Sequence, residues 1–443
     1  MRKSRAVAAA SLFAVKLCVV LAAQGGPYAT PTAAQIEAIY PAIEALYIDL
    51  HKNPELGFQE TQTAAKLAAH VKALGFDVTT GVGGTGVVAI MKNGAGPTVM
   101  LRTELDALPV EEKTGLPYAS TVKAKNPSGQ LVPVMHACGH DLHMAAWAGA
   151  ARLMAEQRSR WQGTLIMLGQ PAEEGGAGAS AVLKDGLFTR FPRPDFALSL
   201  HDDDTMPAGT IGYHPGLFRA ISDNVTITIV GKGGHAAMPH STIDPVVISA
   251  KVILSLQTVV SRESNPVQPV VITVGSIHGG SRPNIIPDEV TLQLSVRTFT
   301  PEVRERTIAA IRRIVINEAE AAGAPREPRI DVQPSTRYPV NNDPKLTLRL
   351  ADVLKKHLGD QNVIAMPAKM TSEDFSEYGM AGVPSALFHI GAVNPAKLAA
   401  ARESGIAVPA PHSPEWAPDL EVTLKAAIRA EVTEALELLR TIR

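Results

Sequence analysis

Thr164-Leu165-Ile166-Met167-Leu168-Gly169-Gln170-Pro171-Ala172-Glu173-Glu174-Gly175-Gly176 is an apolar run that breaks, through a glycine and a proline, into two adjacent glutamates. Thr164 to Leu168 reads as a buried strand. Two like charges side by side at its end need something to neutralise them. A divalent cation would leave one carboxylate as a ligand and the other free to move protons, provided that histidines or a thiolate arrive from elsewhere in the chain. Met135-His136-Ala137-Cys138-Gly139-His140-Asp141 supplies both.

On either side of this stretch, strands alternate with helices. Ala64, Leu67, Val71 and Leu74 keep helical spacing and end at Gly75, a helix-terminating residue. Val87 to Ile90 and Thr98 to Leu101 read as strands, His143 to Met154 as a helix, and Phe196 to Leu200 as a strand ending at His201. Such alternation predicts an α/β fold with a mainly parallel sheet and helices on both faces. Ligands of these sheets collect beyond the carboxyl ends of the strands. Asp106, Glu173 with Glu174, and His201 each follow a different strand, so three candidate site elements point the same way.

The pattern changes near Ile221. Strand (Val225 to Val230), helix (Asp244 to Ser261), strand (Val270 to Ile277), strand (Glu289 to Thr298), helix (Pro301 to Ala322) and strand (Arg329 to Val332) give the βαββαβ order of a split ferredoxin-like unit. Pro325, Pro328 and Pro334 punctuate its far end, and the α/β pattern resumes through Leu348 to His357 and a last helix near Leu424 to Leu439. The expected organisation is a catalytic α/β domain in two parts, 33–220 and 334–443, with an α+β domain, 221–333, inserted between them.

Composition bounds what this chain can be. Its 443 residues, 45% hydrophobic and 19% charged, can bury a sizeable core, so a disordered chain is excluded. A formal net charge of −1 gives no electrostatic reason to expect nucleic acid or anionic lipid as a partner. Met1-Arg2-Lys3-Ser4-Arg5 followed by the mostly apolar Ala6 to Ala23 reads as a signal peptide, 1–23, hence export to a periplasmic or extracellular location. Lys16 interrupts the apolar run, which leaves an uncleaved anchor or a mis-assigned start as other readings. No later stretch reads as long and apolar enough to span a bilayer, so the mature protein is expected off the membrane. Of the two cysteines, Cys18 would leave with the signal peptide, and Cys138 would then have no intramolecular disulfide partner. Cys138 and His140 flank a glycine, and a thiolate beside an imidazole suits a zinc, cobalt or manganese-type site.

These residues resemble the M20 group of metal-dependent amidohydrolases and peptidases, in particular the branch containing hippurate hydrolase and the auxin-conjugate amidohydrolases. The resemblance covers essentially the whole mature chain. It rests on segments that recur in order: Glu104-Leu105-Asp106-Ala107-Leu108-Pro109, His136-Ala137-Cys138-Gly139-His140-Asp141, Pro171-Ala172-Glu173-Glu174-Gly175, Gly231-Lys232-Gly233-Gly234-His235-Ala236-Ala237, Arg282-Pro283-Asn284-Ile285-Ile286-Pro287, Ser372-Glu373-Asp374-Phe375 and His412-Ser413-Pro414. The resemblance implies that Cys138, His140, Glu174, His201 and His412 are ligands of two divalent metal ions (zinc, manganese, cobalt or nickel), that Glu173 is the general base, and that Asp106 orients a ligand. It implies further that His235 and Asn284 reach the active site of the partner subunit of a homodimer, that Arg297 binds the substrate carboxylate, and that the inserted domain is a dimerisation lid. Glu104 stands where this branch usually has aspartate and other branches have a ligand histidine. It is left out of the ligand set, since its extra methylene lets it approach the metals or a neighbouring cation.

The chemistry expected is hydrolysis of an N-acyl amino acid. Glu173 would take the proton of the attacking water and pass it to the leaving amine, and His235 would hydrogen-bond the oxyanion. A dipeptidase or carboxypeptidase of the same family is the neighbouring reading. Cys138 as a nucleophile and a non-catalytic, exported solute- or metal-binding protein are the rivals from other classes. Among the other histidines, His136 and His143 read as support for the ligands and His240 as a possible substrate contact. His51, His70, His214, His278, His357 and His389 read as ordinary structure, and Asp202, Asp203 and Asp204 as a solvated loop.

Overall fold

In the computed structural model, residues 30–336 and 338–440 are described, and the expected signal peptide, 1–23, lies outside them. The larger of the two main sheets has eight strands in the order Asp77–Val82, Gly86–Asn93, Gly163–Gln170, Thr98–Glu104, Phe196–Pro207, Ser385–Val393, Ile211–Tyr213, Val363–Ala365. Its four central strands are parallel: Arg102 lies opposite Leu168 on one side and Ser199 on the other, and His201 lies opposite His389. Antiparallel pairing is confined to the two strands at one edge and to the short Ile211–Tyr213 strand. The uninterrupted apolar run Leu165 to Leu168 is the sequence's record of a strand covered on both faces, and all four side chains are buried.

One strand outruns its expected end. Phe196–Pro207 continues through His201 and the three aspartates, so these residues belong to the sheet rather than to a solvated loop. Parallel pairing with Ser385–Val393, in which Asp202 faces Ile390 and Asp203 faces Gly391, carries the ladder past residues of poor strand propensity.

The helices begin on a shared device. Asp244-Pro245, Thr300-Pro301, Asp343-Pro344 and Asn394-Pro395 each place a capping side chain before a proline at the first helical position, and each cap accepts a backbone N–H of the first turn. Helix Ala33–Lys52 starts instead on a reciprocal box between Thr32 and Gln35. Helix His140–Glu156 is buried nearly all round and packs on the last helix, Leu420–Leu438. Its alanines and Gly149 permit that approach, since a Cβ on Gly149 would meet Ile428 at 2.7 Å.

Between Ile221 and Thr336 the chain builds a separate antiparallel sheet in the order Val270–His278, Glu289–Thr298, Ile221–Val230, Arg329–Thr336. Helices Pro245–Thr258 and Pro301–Ala321 close a core of its own around Val225, Ile227, Ile248, Val252, Leu292 and Ile311. This is the ferredoxin-like arrangement that the strand order predicted. One expectation needs amending: Pro245–Glu263 is long and apolar enough, by length and composition, to cross a membrane. In the fold one face of it, Ile248, Val252, Leu256 and Val259, is buried in that core.

Candidate metal centre and active site

Cys138, Glu173, Glu174, His201, His412 and Arg297 line one cavity of about 940 Å³. His140 stands behind them, 1% exposed. The Cys138 Sγ lies 3.7 Å from His201 Nε2 and 3.3 Å from His412 Nε2, while His412 Nε2 lies 3.4 Å from a Glu174 oxygen. His140 Nε2 lies 3.9 Å from Glu173 and 4.0 Å from Glu174. The donor atoms of Cys138, His140 and His201 fall within 4.8 Å of one another, as do those of Cys138, Glu174 and His412, and those of His140, Glu173 and Glu174. Three overlapping clusters, linked pairwise through Cys138, His140 and Glu174, are thereby formed from residues spread over 275 positions of chain.

Backbone groups aim these donors. His140 donates its Nδ1–H to the Asp106 carbonyl oxygen at 2.8 Å, and His201 donates its Nδ1–H to the Asp202 carbonyl oxygen at 2.8 Å. Each bond fixes the tautomer that turns an Nε2 lone pair into the cavity. The Asp106 carboxylate accepts the backbone N–H of Glu173 on one oxygen and that of Glu174 on the other, both at 3.0 Å. Asp106 thus positions the glutamate turn as well as a ligand. The turn is tight, with Ala172 at φ 47°. Gly139 is left-handed, at φ 75°, and a Cβ there would collide with the Asp202 carboxylate. Glycine therefore lets Cys138 and His140 point into one site across a single residue.

The donor set fits a divalent cation. His140 Nε2 and Glu174 Oε1 are buried without any hydrogen-bond partner, a costly state that a ligated ion relieves. Burial, followed by the charges of Glu373 and Glu174, pushes the Glu173 carboxyl well above the usual range. Burial likewise raises Glu174 to about 7, against the pull of His140, and pushes the Cys138 thiol up. Burial and the nearby His140 and His201 lower His412 to about 4, which leaves it a neutral donor. A cation among these groups offsets each penalty on the acids and accepts the neutral imidazole as it stands.

A surrounding layer holds the ligands in place. His143 donates to Glu104 at 3.0 Å and accepts the Asp202 N–H at 2.8 Å, so both ring nitrogens are engaged in support of the site. Glu104 lies close enough to His140 and His143 to form a further ligand grouping. Its oxygens, however, pair with the Arg102 guanidinium and with His143. Arg102 also reaches Glu373 and Asp374 at 2.9 Å each. Glu104 therefore serves a neighbouring cation. His136 is buried with neither ring nitrogen hydrogen-bonded.

Other expectations require correction. Asp202 is buried, 3.1 Å from Trp416 Nε1 and 3.1 Å from His201 Nδ1. Asp203 is buried between His389 Nδ1, at 2.7 Å, and Lys369. Ring N–H donors hold Asp202 and the Lys369 charge holds Asp203, so both are buried where the sequence suggested a solvated loop, and His389, read as ordinary structure, lines the cavity. His51, placed in the same class, bridges Asp141 at 2.7 Å and Glu112 at 3.0 Å. His235 pairs with Ile285 in a short two-stranded antiparallel sheet, at whose end the Ala236 N–H donates to the Asn284 carbonyl oxygen at 3.1 Å. His235 and Asn284 are both exposed, and neither they nor His240 are among the cavity's lining residues. Arg219, Lys369 and Asp202 are the site residues that sequence reasoning missed. None lies in a motif, and a triple aspartate after a strand was the only signal.

Residues 100–409 match the model of peptidase family M20/M25/M40. The chain is 39% identical over 330 residues to the N-acetyl-L-cysteine deacetylase of Bacillus subtilis, covering 74% of this chain and 75% of that one. It is 35% identical to the IAA-amino acid hydrolase ILR1-like 5 of Arabidopsis thaliana, covering 78% and 77% respectively. Among solved structures it superposes on a Bacillus subtilis protein described as a dinuclear metal binding peptidase from the M20 family, with a TM-score of 0.72 at 28% identity over 92% of this chain and 99% of that one.

Proposed function

The chain belongs to peptidase family M20/M25/M40, and from that premise we propose that it hydrolyses the amide bond of an N-acyl amino acid, releasing a carboxylic acid and a free amino acid. The relatives named for an N-acetyl amino acid and for indole-acetyl conjugates support this substrate class. The observation that carries the reading is the unequal placement of the two glutamates. Glu174 reaches both histidine positions, His412 at 3.4 Å and His140 at 4.0 Å, whereas Glu173 approaches only His140, at 3.9 Å. Glu174 is thereby a ligand, and Glu173 is left to carry protons.

Cys138, His140, Glu174, His201 and His412 would hold two divalent ions of the zinc, manganese, cobalt or nickel type, which supply Lewis-acid polarisation of the carbonyl and a lowered pKa for water. Glu173, buried and of raised proton affinity, takes the proton of the attacking water and delivers it to the leaving nitrogen. Arg297, its guanidinium held by Ser295 at 3.0 Å and Ser372 at 2.9 Å, faces the cavity and holds the substrate carboxylate. His235 and Asn284 complete the oxyanion pocket of a second subunit. Their exposure outside this chain's own cavity supports a homodimer, in which the inserted domain is the contact.

Substituting each glutamate by glutamine tests the division of labour. Glu173→Gln should keep its metal content, measured by atomic emission, while kcat for N-acetyl amino acids falls by roughly 10²- to 10⁴-fold. Glu174→Gln should lose metal. Full activity of Glu173→Gln, or equal metal loss in both variants, would sink the assignment.

A further inference from the structure

Beside His389, whose ring stacks on that of His201 at 5.8 Å between centroids, the cavity carries a guanidinium to which the hydrolytic chemistry above gives no role. Arg219 is 5% exposed and lines the cavity together with Arg297, Lys369 and His389. Its Nη1 donates to Thr371 Oγ1 at 2.8 Å and its Nη2 donates to His389 Nε2 at 2.9 Å, while its Nε has no partner at all. Because His389 accepts on Nε2, its proton sits on Nδ1 and is donated to Asp203 at 2.7 Å, which makes the imidazole a neutral spacer. Asp203 is in turn paired with Lys369. Asp204 also lines the cavity, but its electrostatic neighbours are Asp203, Lys369 and Asp202. Glu373 feels the charge of Arg219 but is hydrogen-bonded to Arg102 at 2.9 Å, so among the described residues no carboxylate is in contact with Arg219.

A buried charge is strongly unfavourable unless something pairs with it, and a planar fork of donors is matched to a carboxylate. Arg297 is half-buried, its polar partners are two hydroxyls, and among the described residues no carboxylate pairs with it. The two guanidiniums are gripped by adjacent residues of one loop, Thr371 for Arg219 and Ser372 for Arg297. Arg297 also lies opposite Ser222 in the sheet, three residues beyond Arg219. Two unpaired guanidiniums therefore open on one cavity from neighbouring anchors.

We infer that Arg219 and Arg297 hold two separate anionic groups of one substrate, so that the preferred N-acyl amino acid is a dicarboxylate. This rests on the hydrolase reading above and narrows it. The second carboxylate belongs either to the amino-acid side chain, as in an N-acyl aspartate or glutamate, or to the far end of a dicarboxylic acyl group. A hydrogen-bonding site of this kind rejects the uncharged amide of the same shape because its buried donors then lack a counter-charge.

Binding to the metal-loaded Glu173→Gln protein, measured by calorimetry, separates recognition from turnover. The probes are N-acetyl-L-glutamate against N-acetyl-L-glutamine, and N-glutaryl-L-alanine against its terminal amide. One of the two acids should bind at least about tenfold more tightly than its amide, and which pair shows the difference identifies the source of the carboxylate. In both Arg219→Met and Arg219→Gln, each checked for folding by thermal melting, that ratio should collapse to about one. Ratios near one in both pairs with Arg219 intact overturn the inference, as does a ratio that survives either neutral substitution. The latter would leave Arg219 as a tie between the sheet and the 369–372 loop. Hydrolysis of N-acetyl-L-alanine by the unsubstituted enzyme without any acid preference would reject the dicarboxylate and keep the hydrolase. An acid preference in binding without hydrolysis of any N-acyl amino acid would do the reverse.

Discussion

Asp106 does the most positioning of any single side chain in the site. Its two carboxylate oxygens take the N–H groups of Glu173 and Glu174, so truncation strands two buried donors at once. Each lost partner costs roughly 1–3 kcal/mol, and Asp106→Ala should therefore destabilise the fold by about 2–4 kcal/mol in denaturant titration. Asp106→Asn keeps one acceptor and should cost about half as much. A variant as stable as the parent would show that the glutamate turn is held by other means. His51 offers a second test, through pH. Burial alone would lower its pKa, but hydrogen bonds to Asp141 and Glu112 outweigh burial and hold it up to about 10, from an ordinary 6.5. The folded state thus binds the proton more tightly than the unfolded chain. The stabilisation is fully present below pH 6.5 and is lost as pH rises towards 10. His51→Gln should lower stability by about 2–4 kcal/mol at pH 6, and the gap to the parent should close between pH 7 and 10. A gap independent of pH would mean that His51 is neutral in the fold. At this scale the sequence was legible where spacing carries chemistry. Cys138-Gly139-His140 and Glu173-Glu174 announce ligands because few other roles need those residues so close. Arg102, Asp203 and Arg219 did not announce themselves. Charged residues outside a motif are mostly solvated, and the partners of these three lie between 2 and 272 positions away along the chain.

Elements bring the distant donors together, and their ends matter more than their middles. The helix His140–Glu156 was readable from its apolar period, and the last helix from Leu424 onward, because both bury wide faces. The strand Phe196–Pro207 was readable only to His201. Its extension depends on the partner strand Ser385–Val393, and nothing local to three aspartates shows that a ladder continues through them. The junction of Cys138 with its helix is where an element end becomes chemistry. Gly139 caps the helix in the left-handed region, with the Asp202 carboxylate where a Cβ would go. Gly139→Ala pays twice, once for backbone strain of order 1 kcal/mol and again for displacement of Asp202 from Trp416 and His201. A loss of about 2–4 kcal/mol in thermal or chemical unfolding is expected, together with at least tenfold weaker metal retention against a chelator. Normal metal retention in a destabilised Gly139→Ala protein would show that the cap supports the fold without aiming the ligands.

The inserted sheet is a separate hydrophobic body whose outer surface is poorly covered at the level of the whole molecule. Its edge strand Val270–His278 has no neighbour on one side among the described residues. Helix Pro245–Thr258 buries Ile248, Val252 and Leu256 but leaves Val246, Val247 and Leu254 at 42%, 52% and 71% exposure. Ile277, on the edge strand, is 50% exposed. An open strand edge beside a row of exposed aliphatic side chains is a surface that soluble proteins normally cover, and an antiparallel copy of the same element covers it with the symmetry of a dimer. His235 and Asn284, on the same inserted body, stay outside their own cavity, so the proposed dimer and the proposed oxyanion contact stand or fall together. Val247→Glu with Leu254→Glu places charges in the proposed contact without touching a donor of the metal cluster. Sedimentation velocity should show the parent at twice the chain mass and the double variant at the chain mass. The double variant should keep its metal yet lose at least about a hundredfold in kcat, the scale of a missing oxyanion donor. Mixing Glu173→Gln with His235→Ala subunits should restore activity in the hybrid, where one composite site has both residues intact. A fully active monomer would instead confine catalysis to a single chain and return His235 to the role of an exposed residue of a short two-stranded sheet.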